Sequence, residues 1–332
     1  MPKEPVTRND VAEYAGVSTA VVSYVVNEGP RKVAPETRER VLEAIRALGY
    51  RPNATARALR MGTTRTFGLI TPDGGNPLFA ELAKAIDKAA GARGYSVLQT
   101  STDGDPATER AKVAELLTRR VSGLLLVAPS EDPELIDAGV PAIAINRVLP
   151  TISSVRPTYR EGARRGVEHL ISHGHRLIGL VIGGSGSSVI GAAPHARPER
   201  ELGWADALEA AGLPEGPIAR ATFSREGGYT AARRLLEADQ RPTAIFASSD
   251  LQAIGILRAL HEAGLRVPEE VAVVAFDGTP ETEYTWPPLT VVRQPLEHLA
   301  HEAVHRLIEG EEAVEALTLP TELILRRSCG CP

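Results

Sequence analysis

Residues 7–29 read Thr7-Arg8-Asn9-Asp10-Val11-Ala12-Glu13-Tyr14-Ala15-Gly16-Val17-Ser18-Thr19-Ala20-Val21-Val22-Ser23-Tyr24-Val25-Val26-Asn27-Glu28-Gly29. The opening Thr7-Arg8-Asn9-Asp10 is a capping-box pattern ahead of an apolar pair, which predicts a first helix over 8–14. Ala15-Gly16-Val17 makes the turn. Ser18 can cap a second helix in which Val22, Val25 and Val26 recur at the spacing of one buried face, until Asn27-Glu28-Gly29-Pro30 stops it. Thr19, Ala20, Ser23 and Tyr24 then point away from the valines. Pro35 opens a third helix carrying Val41, Ile45 and Leu48 on one face, and Gly49 follows where a C-terminal cap belongs. Three short helices with a turn between the first two suit a helix-turn-helix head, whose second helix reads the major groove. An ordinary solvated helix face has the same residue types, so the pattern by itself leaves DNA binding open.

From Phe67 onward the texture changes to short apolar runs alternating with amphipathic stretches. Strands are expected at 67–71, 95–100, 121–128, 141–146, 177–183, 243–248 and 271–277, with helices at 78–93, 106–120, 162–173, 199–212, 226–238 and 251–264. Strands alternating with helices mean parallel sheets covered on both faces. The alternation pauses near 155–162 and starts again, which predicts two doubly wound α/β subdomains with a cleft between them. Ligands in such sheets bind beyond the carboxyl ends of the strands.

Length and composition agree with this division. A chain of 332 residues with 43% apolar content is too long for one core and lacks the run of about 20 apolar residues that a membrane helix needs. The charged N-terminus is unlike a signal peptide, so a cytoplasmic protein is expected. The net charge of −5 is unevenly spread: residues 1–65 carry 11 Lys+Arg and 7 Asp+Glu, a net of +4, leaving −9 for residues 66–332. A basic head on an acidic body would meet nucleic acid only at the head. Cys329 and Cys331 read as reduced tail residues. His169 and His173, with His175 nearby, read as helix-terminus electrostatics with no third ligand in view, so no metal and no cofactor are expected. Gly183-Gly184-Ser185-Gly186-Ser187-Ser188 has neither the P-loop lysine nor dinucleotide spacing, and no nucleophile elbow appears, so no catalytic residues are assigned.

The run from Asn9 to Ser18, then Asn27, Pro35-Glu36-Thr37-Arg38-Glu39-Arg40-Val41, Gly49-Tyr50-Arg51-Pro52-Asn53 and Ala56-Arg57-Ala58-Leu59-Arg60, resembles the lactose-repressor/galactose-repressor (LacI/GalR) family. The resemblance implies that Thr19, Ala20 and Tyr24 occupy base-reading positions, with Ser18, Ser23 and Asn27 nearer the backbone, and adds Thr7, Arg57 and Arg60 to the DNA-contacting set. Most members carry arginine where this chain has Tyr24, so the bidentate contact to guanine is unavailable there and the operator should differ. Ala34 stands where serine commonly caps the third helix. Residues 51–60 match the family's hinge segment, in which paired leucines, here Leu59, wedge into the minor groove and kink the duplex.

The resemblance extends through the core, which matches the family's sensor domain with its periplasmic sugar-binding fold and three crossovers between lobes. It places Asn146, Arg200, Phe223, Asp250, Asp277, Trp286 and Gln294 in the effector cleft. These residues suit a polyol, because a carboxylate accepts from hydroxyls, an arginine donates in a fork and an aromatic ring stacks on a sugar face. Duller roles exist for each: Asp250 as a helix cap, Asp277 as a strand-end turn, Trp286 beside Pro287-Pro288 as a packed loop. Thr158 stands where many members have aspartate.

The reading is an N-terminal all-α helix-turn-helix head at 1–50, a hinge at 51–65, and an α/β core of periplasmic-binding-protein-like type at 66–332. The core divides into an N-subdomain at about 66–158 plus 291–318 and a C-subdomain at about 159–290 plus 319–330. Its function is a homodimeric, effector-controlled DNA-binding regulator, with operator DNA and a small molecule, expected to be a sugar, as partners. The alternatives are a sugar-binding protein without DNA function and a corepressor-type regulator sensing a nucleoside or purine. Leu59 is the one large apolar side chain between Tyr50 and Met61. Leu59→Ala should lower operator affinity and DNA bending, with the unstacking offset of about a few kcal/mol lost, while the melting of the core stays unchanged. An unaltered bend angle and affinity in electrophoretic bending assays would remove the wedge.

Overall fold

The computed structural model describes residues 6–26, 31–51, 63–129, 139–183, 197–310 and 313–332. They separate into two compact units, one up to Thr64 and one from Arg65 onward. The hinge positions Arg57, Leu59 and Arg60, together with Asn27 and the glycine-serine loop after Gly183, lie outside the described residues.

In the first unit, α1 (Arg8–Ala15) starts on the reciprocal cap that Thr7 and Asp10 form. The Asp10 carboxylate accepts from the Thr7 backbone N–H at 2.7 Å, and the Asp10 backbone N–H donates back to Thr7 Oγ1. Gly16 ends the helix in the left-handed region at φ +63°, where a Cβ is strained, and the chain turns directly into α2 (Thr19–Val26). Ser18 Oγ accepts from the Val21 N–H at the start of α2. α3 (Pro35–Leu48) begins on proline, has no side-chain cap at Ala34, and closes on Gly49. Val11, Ala12, Ala15, Val22, Val25, Val41, Ala44 and Tyr50 form the shared core, with Val26 only partly buried.

The second unit contains two sheets. The first is all parallel in the order β11-β5-β4-β3-β1-β2, with β1 (Thr66–Thr71), β2 (Ser96–Ser101), β3 (Gly123–Val127), β4 (Ala142–Ile145), β5 (Ser154–Pro157) and β11 (Ala316–Leu319). On one face Phe67 and Leu69 pack with Leu82 and Ile86 of α4 (Pro77–Ala92) and Leu299 and Val304 of α10 (Leu296–Glu309). On the other, Ile70, Leu124 and Leu126 pack with Val113 and Leu116 of α5 (Pro106–Thr118), as the two-residue strand period requires.

The second sheet runs β12-β10-β9-β8-β6-β7: β6 (Ile178–Gly183), β7 (Ile218–Ala221), β8 (Ala244–Ala247), β9 (Ala272–Asp277), β10 (Thr290–Arg293) and β12 (Glu322–Ile324). Only the β10–β12 pair is antiparallel. α6 (Tyr159–Ser172) and α7 (Glu199–Ala210) cover one face around Trp204 and Phe246; α8 (Arg225–Leu236) and α9 (Asp250–Glu262) cover the other around Ile245 and Ile256.

The expected strands are all present, and β5, β7, β10, β11 and β12 add to them. Each of these is three or four residues long, and most lie at or near a sheet edge, so none has the apolar run that marks a buried central strand. β10 belongs to the second sheet, which moves the return to the first lobe from 291 to just after Arg293. The chain crosses between lobes after β5, after β10 and after β11. Two crossings are tied together, since the Thr321 N–H donates to Thr158 Oγ1 at 3.1 Å.

The last residues depart from expectation. Cys329 is buried in the second lobe's core, and a short 3-10 turn (Arg327–Cys329) followed by left-handed Gly330 brings both cysteines to the end of α6 beside His169 and His173. The reading of histidines with no third ligand in view is therefore corrected, while the two cysteines carry no disulfide, as expected of reduced residues. His175 instead lies 3.0 Å from Thr243 Oγ1.

α6 and α7 approach closely because α7 has Gly203 at the crossing point, where a Cβ would sit 2.1 Å from the Arg160 carbonyl oxygen. Gly203→Ala must push the two helices apart, at roughly 1–3 kcal/mol or more. Thermal unfolding should show a lower melting temperature for the α/β unit; an unchanged one would mean the helix spacing tolerates a methyl group.

Candidate functional site

Arg200, Asp250, Asp277 and Gln294 come from four separate segments and meet at the carboxyl ends of β8, β9 and β10. Asp277 is the last residue of β9, 4% exposed, with φ +113°, a left-handed conformation unusual for a residue with a side chain. Its Oδ1 accepts from Gln294 Nε2 at 2.7 Å and from Arg200 at 3.3 Å, while the Gln294 backbone N–H donates to the Asp277 carbonyl at 2.9 Å. Arg200 lies in the first turn of α7, its guanidinium carbon 4.6 Å from the centre of the Tyr159 ring and 4.4 Å from that of Phe276. The two rings fix the plane of the fork before any ligand arrives.

Asp250 does not cap its helix. Ser249 does, accepting from the Gln252 N–H, while Asp250 Oδ2 accepts from the Thr279 N–H at 2.6 Å and its hydroxyl at 2.8 Å. Burial pushes the Asp250 carboxyl up to about 8, and the charge of Asp277 adds to the effect. Asp277 is pushed up less, to about 6, by burial, because Arg200 and then Gln294 favour its charged form. Arg200 Nε, Asp250 Oδ1 and Gln294 Oε1 are buried and have no hydrogen-bond partner.

Asn146 stands at the end of β4 in the first lobe, with φ +68° and Oδ1 likewise buried and unpartnered. Phe223 follows β7 and lays its ring over the end of β6: a Cβ on Gly183 would lie 2.2 Å from Phe223 Cε2. Trp286 does not share this environment, being 87% exposed on the loop between β9 and β10. Sequence reasoning missed Tyr159, Phe276 and Thr279, which position Arg200 and Asp250; Tyr159 opens α6, Phe276 lies one residue before the end of β9 and Thr279 follows that strand, and no motif singles them out.

In the helical unit Ser18, Thr19 and Ala20 are exposed, and Ser23 and Tyr24 are half-buried. The N-terminal half of α2 therefore presents hydroxyls, a methyl group and helix N–H groups outward, the donor set that suits phosphates and base edges. The Thr7 hydroxyl is engaged with Asp10 at 2.8 Å, so its side chain serves the α1 cap. No helix among the described residues is long and apolar enough to cross a membrane.

Residues 7–53 match the family model described as bacterial regulatory proteins, lacI family, and residues 167–329 match that of a periplasmic binding protein-like domain. The chain is 33% identical over 337 residues, 97% of its length and 98% of the relative's, to the HTH-type transcriptional repressor PurR of Haemophilus influenzae (strain PittEE). It is similar to the lac repressor dimer bound to operator and the anti-inducer ONPF, with TM-score 0.85 and 31% identity, covering 98% of this chain and 99% of that one. It is also similar to the transcriptional regulator CelR in complex with cellobiose, with TM-score 0.71 and 32% identity, covering 97% and 99%.

The two carboxyls generate a pH dependence. Because the folded state raises the Asp250 pKa from its ordinary 3.8 to about 8, the native protein holds that proton more tightly than the unfolded chain does. Its stabilising contribution is complete below the ordinary value and is lost as pH rises through about 8, on the order of a few kcal/mol across that window. Asp250→Asn, which keeps an oxygen for Thr279, should flatten the fall in melting temperature between mildly acidic and mildly alkaline pH. A fall as steep as in the native chain would show that the carboxyl does not titrate in this window.

Proposed function

The chain belongs to the lacI family of bacterial regulatory proteins, and on that premise we propose that it is a homodimeric repressor whose hold on operator DNA is set by a small sugar bound at the Arg200–Asp277 site. Family membership makes it a DNA-binding transcription regulator and not an enzyme. The proposal assigns base reading to Thr19, Ala20 and Tyr24, and backbone contacts to Ser18, Ser23 and Asn27. Two-fold pairing follows from the small footprint of one short recognition helix, which reads a half-site and gains its affinity from a second head.

One observation carries the sugar reading: beside a buried carboxylate a donor (Arg200 Nε), an acceptor (Gln294 Oε1) and the carboxyl oxygen Asp250 Oδ1 are left without partners, and Asn146 Oδ1 is likewise unpartnered at a strand end of the other lobe. Sugar hydroxyls both donate and accept, so one polyol can satisfy both kinds of atom, with Phe223 against an apolar ring face. A purine presents two flat faces, which favour a ring or another flat or apolar group against each. Among the described residues, the first-lobe strand ends offer Thr71, Asp73 and Asn146 rather than an aromatic ring, and Phe79 packs into that lobe's core. The purine reading rests on the name of the Haemophilus relative and remains the second one.

A thermal-shift panel of monosaccharides, disaccharides, purine bases and nucleosides separates the two. A sugar should raise the melting temperature, with about 2.7 kcal/mol of stabilisation at 100 times Kd. Arg200→Ala and Asp277→Asn should each abolish that shift. A purine response without any sugar response would replace the sugar reading, and unchanged affinity in both folded variants would move the effector to a different site.

A further inference from the structure

We propose that His169, His173, Cys329 and Cys331 form a tetrahedral zinc site that fastens the end of the chain to the last turn of α6. His169 and His173 stand four residues apart on one face of that helix, with ring centroids 4.6 Å apart. The tail reaches them through the turn at Arg327–Cys329 and through Gly330, whose φ of +97° strains any residue with a Cβ and folds Cys331 back toward the helix.

The four ligand atoms all lie within 4.8 Å of one another. His169 Nε2 is 3.2 Å from Cys329 Sγ and 3.5 Å from Cys331 Sγ, and His173 Nε2 is 3.5 Å from Cys331 Sγ. A zinc ion with Zn–S of about 2.3 Å and Zn–N of about 2.0 Å holds tetrahedral ligands about 3.3–3.8 Å apart, so these spacings are close to those of a loaded site. Hydrogen bonding alone explains the convergence poorly. Both sulfurs approach the same His169 nitrogen, which has one hydrogen or one lone pair to offer, whereas a cation between them engages every atom.

Charge favours the same occupant. Zinc(II) with two thiolates and two neutral imidazoles is neutral overall, and binding releases the two thiol protons to solvent without any redox step. With four protein ligands no coordination position stays open, so the site is structural. Its surroundings are built to hold the tail. Ser328 Oγ donates to the Val273 carbonyl at 2.6 Å and accepts from the Thr290 N–H at 2.8 Å, and the Thr290 hydroxyl lies 3.0 Å from Cys329 Sγ. Those contacts reach β9 and β10, the strands that end at Asp277 and lead to Gln294. The metal would therefore anchor the tail against the strands that carry the effector site.

The full-length chain, purified under reducing conditions, should contain one zinc per chain by elemental mass spectrometry. After chelation and addition of cobalt(II) chloride it should show tetrahedral d–d bands and thiolate-to-cobalt charge transfer. Chelation should lower the melting temperature, and zinc sulfate should restore it. His173 is exposed and Cys331 only partly buried; Cys331→Ser and His173→Asn should each weaken zinc binding at least about tenfold, lower the melting temperature and blunt the response to chelator. A wild-type chain with two free thiols, no stoichiometric zinc and no cobalt–thiolate band overturns the site, and so does a Cys329–Cys331 disulfide. The wild-type metal measurement decides the matter even if a variant fails to fold.

Discussion

One buried carboxylate organises the second lobe. Taking Asp277 out of water costs several kcal/mol unless partners replace its hydration. The partners come from places far apart in the chain: Arg200 from α7, Gln294 from the crossing after β10, and the Asp250 backbone at the start of α9. Holding Asp277 charged therefore requires a helix start, a lobe crossing and a strand end to keep one arrangement. Arg200 extends the network further, because one of the two rings it packs against, Tyr159, opens the helix just after the first crossing between the lobes. The same residues that satisfy the carboxylate thus set the geometry where the lobes join.

The network stops short of closing, and that is its functional content. A fold optimised only for stability would leave few buried polar atoms without partners. Here unpartnered atoms of Arg200, Asp250 and Gln294 crowd around the carboxylate, with that of Asn146 at a strand end of the other lobe. Two carboxyls, both raised by burial and Asp250 the more, stand together in the same place. Strained backbone at Asp277 and Asn146 adds to the pattern, since such conformations persist where the surroundings over-determine them. A ligand that supplied the missing hydrogen bonds would lower the free energy of this arrangement specifically, which is the linkage a sensor needs.

Local chemistry was legible in the sequence; tertiary convergence was not. The capping pattern of Thr7 and Asp10, the glycine stops at Gly16 and Gly49 and the valine face of α2 were all readable, because each is settled within a few residues. The long buried strands announced themselves by apolar runs. The short strands β5, β7, β11 and β12 did not: β7, β11 and β12 are partly exposed, and β5, though mostly buried, reads Ser-Val-Arg-Pro and has no apolar run to show. Arg200 and Asp277 could be named only through family resemblance, and even then the rings of Tyr159 and Phe276 stayed out of view, since an arginine packed against two aromatic rings leaves no spacing signature.

The tail shows the same limit in its sharpest form. His169 and Cys329 are 160 residues apart, and each pair alone is ambiguous: two histidines at helical spacing serve equally as terminal charges, and a Cys-Gly-Cys end is half of many things. What joins them is the antiparallel strand β12, which pairs with β10 and so directs the chain back across the sheet toward α6. That strand was among those the periodicity could not detect. A short edge pairing, weak in sequence terms, thus determines whether four scattered ligand atoms become one site, and the glycine between the cysteines supplies the left-handed turn that lets both sulfurs face the helix.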